Sequence, residues 1–212
     1  AGTTPDPFAI HAAQETISHS LSEVLQNDLG TIYVENQVRA PFAPTAEQAG
    51  QRAMANMALG LITRLDGGTE ARKQFETADN MTSTLGALGA LLSCEYGMNA
   101  SQQFYETWKH ERLVIDKWFS IQMTHAKPEE ALDVVDRLSA HPDFSIKNPN
   151  RFRSVFGPFA GHAGFHAPAG GGYETLADWL IKVDKINPQP TARPCSAFDS
   201  WQIFEPERHT QM

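Results

Sequence analysis

Residues 148–166 read NPNRFRSVFGPFAGHAGFH and concentrate side chains able to do chemistry. His162 and His166 stand four apart, the spacing at which two histidines share a zinc ion when a helix puts both on one face. Gly161, Gly164, Pro168 and the glycines 170–172 surround them, and no Glu follows the first His. The protease pattern H-E-x-x-H is therefore absent, and a structured loop with incidental histidines is the expectation over an independent metalloenzyme. His11, Glu15 and His19 form a second set on one helix face. Eight residues of helix span about 12 Å, too far for all three to reach one metal, so this reads as a solvated face. Arg151 and Arg153 lie about 200° apart on a helix and leave it on opposite sides. One can face a cavity while the other makes a structural ion pair, and Phe152, Val155, Phe156 and Phe159 supply core. Asp79-Asn80-Met81-Thr82 is explained as a helix-start turn.

No G-x-S-x-G, phosphate-binding loop or dinucleotide fingerprint is present. Motifs alone thus give an acidic all-helical domain with no visible catalytic centre. The elements that must position these residues read almost entirely as helix. Asp6-Pro7 opens the first, where Ile10, Ile17, Leu21, Val24 and Leu25 recur at helical spacing. LGTIYV continues to Val34. Thr45 caps the next helix, with Glu47 in its first turn, an apolar face of Met54, Met57, Ala58, Leu61, Ile62 and Leu65, and Gly67-Gly68 as the stop. TEARKQFETA precedes a Gly/Ala-rich helix whose backbone can approach a neighbour closely. Asn99 is expected to cap ASQQFYETWKH. LVIDKWFSIQM and KPEEALDVVDRLSA follow. Asn148 caps a helix with Pro149 in its first turn, HAGFHAPAGGG is a loop, and Tyr173–Ile186 is helical. Pro188 starts a helix toward Phe198, and Glu205-Pro206-Glu207 begins another.

No β-branched run alternates cleanly, so no strand is expected. The fold expected is all-α, an irregular superhelix of stacked antiparallel helix pairs of the ARM/HEAT type, forming a single domain over residues 1–212. A closed helical bundle is the alternative architecture.

A formal net charge of −8 without a basic block argues against nucleic acid or an anionic membrane as partner. No apolar run approaches the roughly 18 residues of a membrane span. AGTTPDPFAI has neither the basic nor the apolar region of a signal peptide. Cys94 and Cys195 show no metal-type spacing and read as reduced thiols of a cytosolic protein. The chain opens on Ala1, and Met212 falls about two turns into its last helix; a piece of a longer polypeptide, truncated at its C-terminus, is the expectation.

Several strings go further. QFETADNMTSTLGALGAL (Gln74–Leu91), LVIDKWFSIQ (Leu113–Gln122), NPNRFRSVFGPFAG (Asn148–Gly161) and FHAPAGGGYETLADWL (Phe165–Leu180) resemble, in order, the C-terminal domain of bacterial alanyl aminopeptidases, the aminopeptidase N type of the M1 zinc metallopeptidases. The resemblance implies a cytoplasmic, multidomain, zinc-dependent exopeptidase that removes N-terminal residues from peptides. Its last domain is a helical superhelix that caps the catalytic domain and lines a channel for peptides or released amino acids. The family's zinc site and its G-[AG]-M-E-N motif lie in the catalytic domain, and neither occurs here. The fragment is thus expected to carry no cofactor and to be inactive alone, with zinc in the parent's catalytic domain. That catalytic domain and the peptide substrates are the partners implied. The resemblance also implies that Arg153, the second arginine of NPNRFR, points into the central cavity, as does Arg193 of NPQPTAR, with Gln189 nearby. A guanidinium there can hold a peptide carboxylate or carbonyl by charge-assisted hydrogen bonds. A free-standing helical-repeat scaffold for a protein or peptide partner is the alternative function.

Overall fold

The computed structural model describes residues 4–212. Among these residues there are twelve α-helices, three short 3-10 segments and no strand, so the all-α expectation stands. Local sequence explains most of the helix starts. The Asp6 carboxylate accepts from Phe8 N–H at 3.1 Å, just ahead of Pro7. The Thr45 hydroxyl accepts from Gln48 N–H at 3.3 Å. Asn80 does the same for Ser83 N–H at 3.0 Å, and Asn148 for Asn150 N–H at 3.1 Å. Each satisfies a backbone donor that the first turn leaves without a partner. Gly67, at φ 65°, ends its helix in the left-handed conformation that suits glycine.

The chain divides into two compact units, residues 14–107 and residues up to Ala13 together with Trp108–Met212. Helix α1 is Pro7–Val24. The first unit contains α1 from Gln14 onward, α2 (Gln26–Glu35), α3 (Ala46–Asp66), α4 (Thr69–Thr77), α5 (Met81–Leu92) and nearly all of α6 (Gly97–Trp108). Helix α3 packs on α2, α4 and α5. One buried side chain ties four helices together. The Gln74 carbonyl on α4 accepts from the Tyr33 hydroxyl of α2 at 3.1 Å. Its amide nitrogen donates at 2.9 Å to Asn56 Oδ1 on α3 and, at the same distance, to the Ser83 carbonyl on α5. The close approach expected of the Gly/Ala-rich helix occurs at Gly86, where a Cβ would lie 2.3 Å from Asn56 Cγ.

Three local readings change. Asn99 caps nothing, because α6 starts at Gly97 and contains it. The buried face of α3 is Arg52, Ala55, Leu59 and Thr63 with Ala58, while Met54 and Met57 are exposed. On α1 the stripe Ile17, Leu21 and Val24 is 60%, 44% and 81% exposed, and the residue buried is Ser22.

The second unit holds α7 (Arg112–Thr124), α8 (Ala131–Ser139), α9 (Pro149–Ala160), α10 (Gly172–Asp184), α11 (Ala192–Cys195) and α12 (Pro206–Gln211). Helices α7 and α8 pack against α9. KPEE opens as a 3-10 turn, Pro128–Glu130, before α8. The loop after α9 contains another at Ala163–His166. The helix expected from Pro188 begins only at Ala192 and passes into a 3-10 run, Ser196–Ile203. The core is aromatic: Phe152 stacks on Phe156 at 4.7 Å, and Phe156 meets Trp179 at 5.0 Å. Phe165 makes edge contacts with Phe159, Tyr173 and Phe198. Buried Arg208 on α12 closes this unit. Its Nε donates to the His166 carbonyl at 3.0 Å, Nη1 pairs with Glu205 at 2.8 Å, and Nη2 reaches Asp6 at 3.5 Å.

Candidate functional site

Helix α9 separates its two arginines. Its apolar register, Phe152, Val155, Phe156 and Phe159, is fully buried and turns Arg151 inward. Only 6% of Arg151 is exposed. Its Nε donates to Asp116 Oδ1 at 2.6 Å, an Nη donates to the Asp143 carbonyl, and the guanidinium lies 4.7 Å from the centre of the Phe119 ring. It is the structural member of the pair, held by charge, hydrogen bonds and a ring face.

Arg153 leaves the opposite side and is exposed, with no hydrogen bond or ion pair to a described residue. Arg193 lies on α11, which packs against α9. It too is exposed, and its guanidinium has no partner among the described residues. Gln189 is exposed in the turn before α11. Its N–H donates to Asn187 Oδ1 at 3.1 Å, and the Thr191 hydroxyl donates to the Pro188 carbonyl at 2.6 Å, so the turn is fixed by its own polar groups. The structure thus brings the helices of Arg153 and Arg193 together and leaves both cations to solvent.

The histidines serve the loop itself. His162 Nδ1 accepts from Gly164 N–H at 3.0 Å, and Nε2 lies 3.0 Å from the Ala126 carbonyl, which fixes the Nε2–H tautomer. Burial lowers its pKa, against the bond to Ala126. His166 Nδ1 lies 2.9 Å from the Tyr173 hydroxyl. Burial, aided by the nearby Arg208 cation, lowers its pKa to about 4. The pair is structural rather than incidental. The set on α1 does not converge either: Glu15 binds Arg64 at 3.0 Å, and His19 lies 3.5 Å from Glu23. Asn80 is the helix cap that its sequence suggests.

Asp116 and Asp143, which hold Arg151, gave no local signal, because the first is remote in sequence and the second acts through its backbone. Arg52 is silent in the sequence for a different reason: a lone arginine in an amphipathic helix reads as surface.

Residues 1–212 match the family described as a domain of unknown function, DUF3458_C, with ARM repeats. The chain is 35% identical over 210 residues to aminopeptidase N of Caulobacter vibrioides, covering 95% of this chain and 24% of that protein. It is 34% identical over 217 residues to aminopeptidase N of Haemophilus influenzae, covering 99% and 24%. For Escherichia coli aminopeptidase N the values are 32% over 215 residues, covering 98% and 24%. Among solved structures, Legionella pneumophila aminopeptidase A in complex with aspartic acid superimposes with a TM-score of 0.87 at 28% identity, covering 99% of this chain and 26% of that one. The chain spans about a quarter of the length of these relatives, their C-terminal portion. It belongs to the DUF3458_C family of ARM-repeat domains.

Proposed function

We propose that this chain acts as the non-catalytic C-terminal domain of a cytoplasmic, zinc-dependent M1 aminopeptidase, a single domain that caps the catalytic domain and lines its peptide channel. The observation that carries this is the end-to-end match to one quarter of three aminopeptidases N. The zinc belongs to the remainder of the polypeptide. The histidine pair of this chain does not fit it, since both ring nitrogens of His162 and Nδ1 of His166 are already engaged. This domain's part is to bind and enclose. Arg153 and Arg193, exposed on adjoining helices without acidic partners, meet the α-carboxylate or a backbone carbonyl of the peptide, and Gln189 adds a neutral donor and acceptor. A channel wall screens these charges less than open solvent does. The exposed stripe Ile17, Leu21 and Val24 supplies apolar surface for contact with the rest of the polypeptide.

The test is made in the longer enzyme. Arg153→Ala or Arg193→Ala is expected to raise KM for peptides roughly 10-fold or more, the loss of one charge-assisted hydrogen bond, with zinc content unchanged. Unaltered kinetics in both variants would remove the assigned role. An antibody to this chain is expected to detect a native polypeptide several times larger than 23.4 kDa. A band at that size would instead favour a free-standing scaffold.

A further inference from the structure

Arg52 on α3 is 6% exposed and always charged. A buried cation is normally paired with a carboxylate, because unpaired charge is costly to remove from water. Here every contact is neutral. Nη1 donates to Gln48 Oε1 at 3.1 Å, Nη2 donates to the Ala43 carbonyl at 3.4 Å, and the guanidinium lies 4.9 Å from the centre of the Phe42 ring. Its buried Nε–H has no acceptor. Arg52 lines a cavity of about 330 Å³ in the first unit, and Gln37 lines it too. The Gln37 amide nitrogen, beside the Tyr33 hydroxyl, is also buried without a well-formed hydrogen bond. One unsatisfied cationic donor, and one amide whose sole interaction is with the Tyr33 hydroxyl, therefore belong to residues that line one polar cavity.

We infer that this cavity is a carboxylate-binding site, with Arg52 and Gln37 as its donors. A planar carboxylate matches the guanidinium fork and supplies one negative charge. The rest of the lining sets that limit of one. Lys73 is exposed and shared with Glu70 at 3.8 Å. Asp79, the sole carboxylate among the lining residues, is exposed, and its Oδ1 accepts from Asn80 Nδ2 at 2.9 Å. Its charge opposes a dianion such as phosphate. Neither Arg52 nor Gln37 is among the residues of the peptide-channel reading, so the site is an addition to it. The carboxylate is either a free small acid or an Asp or Glu side chain from elsewhere in the longer polypeptide; this second source rests on the function proposed above.

The probe is sodium acetate against sodium chloride at equal ionic strength and neutral pH, with thermal unfolding of the 212-residue chain as readout. Acetate is expected to raise Tm by about 2–4 °C over chloride. Arg52→Met should lose this increment while keeping its helical circular dichroism. Gln37→Glu, which places a carboxylate inside the cavity, should raise Tm in chloride and leave no response to acetate. This variant decides the matter if Arg52→Met fails to fold. Equal wild-type Tm in the two salts, or an acetate increment retained in either variant, would overturn the proposal. Repeating the titration in the longer polypeptide separates the sources. A persistent increment identifies a free acid. An absent increment, with Arg52→Met lowering stability there, identifies a side chain; an absent increment with Arg52→Met neutral would also overturn the site.

Discussion

Arg151 and Arg153 are two positions apart, yet one is an internal strut and the other faces water. The register of α9 decides this, since 151, 155 and 159 share a face and 153 does not. That the two part was legible from spacing, whereas spacing did not say which goes inward, because Phe152, Val155, Phe156 and Phe159 all read as core. The partner was not legible, because nothing local links Arg151 to Asp116, 35 residues away. The two arginines should therefore behave oppositely on substitution. Arg151→Met strands the Asp116 carboxylate and should cost about 3 kcal/mol in urea unfolding, as breaking a buried pair does. Arg153→Ala should stay within about 0.5 kcal/mol, as surface changes do. A stability loss for Arg153→Ala as large as that for Arg151→Met would contradict the burial described for both.

At the scale of elements, caps other than Asn99 are legible in the sequence, while the buried faces of α1 and α3 are not. Thr45, Asn80 and Asn148 each accept a backbone N–H of their own first turn, a short-range bond that residue type alone predicts. Which face of a helix goes inward depends on its neighbours. Helix α3 meets α2, α4 and α5 on its Arg52–Ala55–Leu59–Thr63 side, whereas its methionines carry the stronger hydrophobic signal. A Gly/Ala-rich helix announces a close crossing in the sequence, but not which of its small residues makes the approach. Two glycines make this measurable. At Gly86 an added methyl meets the Asn56 side chain, which can swing aside only by giving up its bond to Gln74. At Gly172 a Cβ would lie 2.2 Å from the Phe165 carbonyl oxygen, which is backbone and has nowhere to go. Gly172→Ala is expected to lower stability by about 3 kcal/mol and Gly86→Ala by about 1–2 kcal/mol, compared by denaturant midpoints. The reverse order would mean that the 3-10 turn yields more easily than the Gln74 network.

For the whole molecule, the all-α class was legible from periodicity, while the division into two units was not, since no linker composition marks it. Acid sensitivity is a property at this scale. His141, His162 and His166 all have pKa values lowered first of all by burial, His166 to about 4. Below the ordinary value of about 6.5 the unfolded chain takes up protons that the folded chain resists. Stability therefore rises with pH from about 4 to about 6.5 and is lost as pH falls through that window. His166→Gln should show a smaller fall in urea midpoint between pH 7 and pH 5 than the wild type, and an unchanged fall would mean that this ring does not contribute. The Arg208–Asp6 contact joins residues 202 positions apart within one unit, whereas the bonds of Gln74 span at most 41. During synthesis, residues 14–107 have their internal partners as soon as they emerge, and that unit is free to fold early. The other unit begins before it and cannot close until Arg208 has left the ribosome, so the segment around Asp6 waits through the 202 positions that separate it from its partner.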